Sequence, residues 1–228
     1  MKYISSILLL FVLNTSFAQK PERDYIPSAI RLGVDAFGLL KSGFNSDFKR
    51  MEGQVDIDLH HLFFAIDYGY EKNSSSGDNF NYENWGTYYR IGLQANIQPY
   101  NVNRNVMFFG FRYAKSNFQD KLEFVNTTNN FGDTPFSFVN DNLSAKWFEI
   151  NLGMKIKIVD QLYFGYTIRF KFAQSLSGEG QLTPREIPGY GKSDKKSAAG
   201  FNYYIAYRFP FRNKAIPIKP KYQPKSTD

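Results

Sequence analysis

Eight segments of this chain, at 30–36, 51–59, 64–71, 88–97, 107–113, 147–158, 162–173 and 201–211, alternate apolar and polar residues with a period of two. A helix cannot use such a pattern, because its faces repeat every 3.6 residues, whereas a strand turns alternate side chains to opposite faces. The clearest case sets Leu162, Phe164, Tyr166, Ile168, Phe170 and Phe172 against Tyr163, Gly165, Thr167, Arg169, Lys171 and Ala173. No charged residue falls on the apolar side of any of the eight segments. The polar side carries Gly33, Gly69, Gly92, Gly110, Gly153 and Gly165 beside long Arg and Lys side chains.

That combination predicts an all-β fold, an eight-stranded antiparallel up-and-down transmembrane β-barrel with the apolar side facing lipid. A soluble barrel of the lipocalin kind would turn its apolar face inward around a ligand. An uncharged apolar face suits lipid contact, and glycines beside Arg and Lys suit a narrow, filled interior. The links also alternate. Those at 60–62, 99–105 and 159–161 are short, those at 73–85, 118–143 and 175–199 are long, and 41–49 is intermediate. Short periplasmic turns and longer extracellular loops are the rule for outer-membrane barrels, so both termini are expected on the periplasmic side.

Composition agrees. Phe, Tyr and Trp number 23, 16 and 2, or 18% of the chain, too apolar for a chain that stays disordered. Yet the mean hydropathy is −0.43, and the one apolar run of note, at 7–13, is far short of the roughly 20 residues of a spanning helix. Lys2, the apolar stretch 4–13 and Ser16-Phe17-Ala18 read instead as a signal peptide over 1–18, cleaved after Ala18. The expected organisation is then a periplasmic segment at 19–28, the barrel at 29–211 and a basic, Pro-containing periplasmic tail at 212–228. With no cysteine, the chain has no disulfide, no thiolate ligand, no Cys nucleophile and no lipid-modified Cys.

The inward-facing charges sort by position. Asp35, Glu52, Asp56, Asp58, Asp67 and Glu71 lie on the first three segments; Arg90, Arg112, Lys155, Lys157, Arg169, Lys171 and Arg208 lie on the last five. Arg31 and Glu149 are the exceptions. Seven acids against eight bases can pair across the lumen, and an eight-stranded barrel is only wide enough for side chains to fill. A salt-bridged plug is therefore expected, with Arg112 as a partner for Asp67. The alternative is a small channel or solute-binding barrel.

Enzymatic readings fail on histidine. Barrel hydrolases rely on a His to move a proton at neutral pH, but His60 and His61 both fall in a short turn. No metal-ligand spacing or phosphate loop is visible, so no enzyme activity and no cofactor are expected. The net charge of +7 raises nucleic acid as a partner, but much of the excess sits in the tail from Arg212 to Asp228, so none is expected. Phe124, Phe131, Phe136 and Phe138 in a long link, with Ile216, Ile218 and Tyr222 in the tail, are the candidate partner contacts.

The stretches Arg31-Leu32-Gly33-Val34-Asp35, Asp67-Tyr68-Gly69-Tyr70-Glu71, Phe111-Arg112-Tyr113, Ile187-Pro188-Gly189-Tyr190-Gly191-Lys192 and Gly200-Phe201-Asn202-Tyr203 also follow one another in a familiar order. Together they resemble an uncharacterised family of small outer-membrane barrels from Bacteroidota, known only as a domain of unknown function. The resemblance covers nearly all of the expected mature chain and implies no activity and no catalytic residue. It suggests a non-enzymatic accessory subunit of a larger outer-membrane complex. The leading candidate is the machinery that inserts barrel proteins, working with lipoprotein partners.

Overall fold

The alternating segments become strands whose ladders close on themselves. The structure, a computed structural model, describes residues 25–126, 134–178, 180 and 182–216. The order is β1 (Ala29–Asp35), α1 (Ala36–Phe44), β2 (Phe48–Leu59), β3 (Leu62–Gly77), β4 (Phe80–Asn96), β5 (Val106–Asn126), β6 (Thr134–Val159) and β7 (Leu162–Ser177). Two short strands, β8 (Glu186–Ile187) and β9 (Gly191–Lys192), precede β10 (Ser197–Pro210). β1 to β7 and β10 form one closed antiparallel ring of eight strands, each paired with its sequence neighbour, and β10 returns to β1. Closure runs from Ala29 opposite Pro210 to Asp35 opposite Tyr204, so backbone groups that would form two open edges bond to each other.

The inside is lined by charged and polar side chains, and the outside is apolar and exposed. Arg112, Arg169, Glu149 and Asp67 are fully buried, while Phe109, Phe111, Phe170 and Ile205 stand about half exposed. Glycine lets bulky rings cross this interior. A Cβ on Gly69 would sit 2.5 Å from the Tyr88 ring, and one on Gly189 would sit 2.6 Å from its other atoms. Gly189 also has φ +78°, which L side chains adopt rarely.

The long links are shorter than the sequence predicts. β3 and β4 continue to a turn at Asp78-Asn79, where 73–85 reads as a loop. β5 and β6 likewise extend to Asn126 and back from Thr134. Outward positions there are polar, as at Lys115, Asn117 and Gln119, so the apolar stripe disappears although pairing of the two strands continues. Ladder hydrogen bonds extend these hairpins, and their inward face keeps buried apolar side chains such as the cross-strand pair Phe118 and Leu143. α1 begins at Ala36, the last residue of the first alternating segment, and runs into the link at 41–49; its Phe37 stacks against Phe201 on the outer face of β10 at 5.8 Å. Link 175–199 carries β8 and β9, and it folds inward, burying Ile187 and Tyr190.

Candidate functional site

Among the described residues, the interior concentrates charged groups, and it is built in three layers. Glu52 on β2, Asp67 on β3, Arg90 on β4, Arg112 on β5, Glu149 on β6 and Arg169 on β7 form the middle layer, each at an inward position of its strand. Arg90 contacts Glu52 at 2.8 Å and Glu149 at 3.0 Å. Arg169 reaches Asp67 at 2.9 Å and Glu149 at 3.1 Å. Arg112 pairs with Asp67, whose other oxygen accepts from Gln54 at 2.9 Å. Tyr88 donates to Glu52 at 2.6 Å, Tyr204 donates to the same carboxylate, and the Trp147 indole N–H donates to Glu149 at 2.8 Å. Three acids and three guanidiniums cancel, and neutral donors satisfy the remaining lone pairs. Such bridging suits fixed fork-shaped guanidiniums, and it offsets the cost of removing charge from water.

Above it, the inserted loop forms the second layer. Lys171 donates to the carbonyls of Gly189 and Tyr190, each at 2.9 Å, and Arg90 donates to the Gly189 carbonyl at 3.1 Å. The Gly189 N–H points at Glu71, which pairs with Arg50 at 2.8 Å. Tyr190 packs edge-on against Trp147, 5.5 Å between ring centres. Burial is the largest influence on Glu186, in this loop, and with the negative charge of Glu71 it raises the Glu186 carboxyl above its ordinary range. Asp35, also buried near this end, accepts from Asn202 at 2.8 Å.

The third layer lies at the end that holds both described chain ends. Arg31 contacts Asp56 at 2.7 Å, and Lys155 contacts the same carboxylate at 2.5 Å. The Arg31 guanidinium lies over the Phe63 ring at 4.4 Å. Asp58 accepts from the backbone N–H groups of Ser28 at 2.6 Å and Ala29 at 2.9 Å. It therefore anchors the entry of the chain into β1. Arg208 stands directly across from Arg31 on the neighbouring strand.

Most of the predicted charge network thus meets inside, with corrections. Lys157 is exposed at the rim, where the register slips between Lys157 and Val159 before the turn. Lys171 serves carbonyl groups and Asp58 serves backbone amides, in place of opposite charges. Ala173, expected to face inward, is exposed at a bulge with φ +53°. The alternation places Gln54, Tyr88, Trp147, Asn202 and Tyr204 on the inward side without assigning them a role, and it misses Arg50, which lies two residues before the inward Glu52 and so shares its parity. Of the candidate partner contacts, Phe124 stacks on Phe136 at 5.1 Å and Phe138 at 6.0 Å, and Ile216 lines the mouth near Arg208. Phe131, Ile218 and Tyr222 lie outside the described residues, as does the segment 1–18. His60 and His61 occupy the β2–β3 turn, and among the described residues no cluster of His, Asp and Glu could hold a metal ion.

The family model for a domain of unknown function (DUF6048) matches residues 1–214. The chain belongs to this family. No curated protein matches it. The DUF6048 match takes in all eight strands of the ring and stops at Lys214, so most of the Pro-containing tail lies beyond it.

Proposed function

We propose that this DUF6048 chain is a non-enzymatic outer-membrane β-barrel that serves as an accessory subunit of a larger outer-membrane complex. The insertion machinery for barrel proteins, with its lipoproteins, is the leading candidate. One observation carries the reading: the interior is filled by a neutral ion-pair layer and an inserted loop, which leaves the outer surfaces to do the work. Exposed apolar side chains on the outer face of each ring strand support contact with lipid, among them Leu32, Met51, Ile66, Leu93, Phe109, Leu152, Ile168 and Ile205. On β5 the outward apolar run from Met107 ends at Lys115, opposite Lys146. That is roughly 27 Å along the strand, or about 20 Å of height at a tilt of about 35–45°, against an apolar band about 25 Å tall.

Above this belt the paired strands β3 to β6 present a tall wall bearing the Phe124–Phe136–Phe138 stack, which suits a protein neighbour. Mild-detergent extraction from the native membrane, followed by mass spectrometry of co-purifying proteins, is the direct test. A defined set of outer-membrane proteins and lipoproteins is expected; recovery only as a free monomer would count against the subunit reading. Planar-bilayer recording addresses the channel alternative. No steady conductance is expected, because Arg90, Arg112 and Arg169 are buried against carboxylates across the lumen.

A further inference from the structure

Among the described residues, the layer at the chain-ends mouth holds more bases than acids. Its acids are Asp56, already shared by Arg31 and Lys155, and Asp58, engaged by the Ser28 and Ala29 amides. Arg208, and Arg104, whose guanidinium donates to the Lys214 carbonyl, add two further bases to the same mouth. Arg31 and Arg208 are cross-strand partners on the inward face, an arrangement that like charges disfavour. Arg208 is buried, and its side-chain hydrogen bond runs to neutral Gln161 at 3.4 Å. Arg31 is 5% exposed, and its Nη2 is buried with no hydrogen-bond partner among the described residues.

These groups surround a cavity of about 80 Å³ lined by Arg31, Arg104 and Arg208 and by the already engaged carboxylates of Asp56 and Asp58. A water takes roughly 30 Å³ of liquid, so this space suits two or three waters or one tetrahedral oxyanion. Arg112 also has an unpartnered Nη2, but it belongs to the balanced layer and not to the wall of this cavity.

We infer that this mouth is a binding site for a phosphate-type oxyanion, held by Arg31 and Arg208 from β1 and β10 and by Arg104 from the β4–β5 link. Guanidinium groups arriving from different elements fit the several acceptor oxygens of a phosphate, through charge-assisted bonds. The anion also relieves the repulsion between Arg31 and Arg208. It is either free phosphate or the phosphate of a lipid headgroup, and the mouth presents the same donors to both.

The full chain in detergent, exchanged into chloride buffer of constant ionic strength, is titrated calorimetrically with inorganic phosphate and separately with dihexanoyl phosphatidic acid below its micelle concentration. Saturable binding of one anion per chain to at least one probe is expected. Arg208→Gln is expected to weaken it at least tenfold, with heat-modifiable gel migration confirming the fold. Arg104→Gln, in an irregular link, supplies a second variant expected to weaken binding should Arg208→Gln fail to fold. Tighter binding of the lipid identifies a headgroup, and equal or tighter binding of phosphate identifies the free ion. Absence of saturable binding to either probe would overturn the site, as would undiminished affinity in the folded variants.

Discussion

The middle layer and the chain-ends mouth of the lumen use the same residue types and reach opposite electrostatic solutions. In the middle, Glu52, Asp67 and Glu149 each meet at least two guanidiniums, and each guanidinium sits against a carboxylate. At the mouth, Arg31 and Arg208 face each other across a strand pair, and the Asp56 carboxylate that Arg31 contacts is shared with Lys155. A buried charge layer is stable when every member is paired, and it becomes expensive when one partner is missing. The middle layer is therefore built for rigidity, and the mouth for occupancy.

The largest expected effect breaks the balanced layer. Asp67→Leu leaves Arg112 and Arg169 without a carboxylate they both contact, and should cost about 3–5 kcal/mol in urea unfolding of the detergent-solubilised chain. The pair Asp67→Leu with Arg112→Leu should recover only part of that loss, because Arg169 still faces the gap. Full recovery would mean that Arg169 draws nothing from Asp67.

Next comes the layer above. Tyr190→Ala removes a buried ring from Trp147 and a hydroxyl that donates to the Lys195 carbonyl at 2.8 Å. A loss of about 3 kcal/mol is expected, in line with truncation of large aromatic side chains. It should appear first as faster hydrogen exchange at 186–192, with the ring of strands still protected. Uniform loss of protection would show that loop and ring unfold as one unit.

The mouth should answer with the opposite sign. Arg208→Gln removes a like-charge neighbour of Arg31, and in phosphate-free buffer it should raise stability by up to about 1 kcal/mol. The same unfolding assay reads both variants, and a loss comparable with that of Asp67→Leu would erase the contrast between the layers.

The smallest effect is a pH dependence. Glu186 has its carboxyl raised in the folded loop, so the folded form holds the proton more tightly than the open form. Its contribution to loop docking is therefore fullest below the ordinary Glu range and declines as pH rises through the raised value. Glu71 opposes ionisation, while Arg185, Lys192 and Lys41 favour it. Exchange at 186–192 should slow as pH falls through this window, after correction for intrinsic rates, and Glu186→Gln should flatten the trend.

The strands of the lower ring were legible because one face is apolar and the other is not, as in Phe164, Tyr166 and Ile168 against Gly165, Thr167 and Arg169. The division of acids and bases between early and late strands also showed that charges could cross the lumen, and Asp67 does meet Arg112. Where both faces are polar, as at Asn73 to Gly77, turn-forming residues continue a strand held by its partners, and no period marks it. α1 was hidden because Gly38 and Gly43 weaken the helical pattern and its Asp35 cap makes no side-chain hydrogen bond to the helix. The docking of Gly189 depends on Lys171, Arg90 and Glu71, on three separate strands, and local chemistry does not reveal such a meeting.

The strands also differ greatly in height. β1 has 7 residues and β6 has 26, roughly 23 Å against 85 Å of extended chain. The rim is therefore slanted, low at β1 and highest at β5 and β6. A cylinder with a level rim would offer a neighbour the same grip from every azimuth. This one has a prow, and whatever grasps it fixes the rotation of the whole molecule about its own axis. The direction in which β1 and β10 face within an assembly would then be decided some tens of ångströms away, at Phe124 and Phe136.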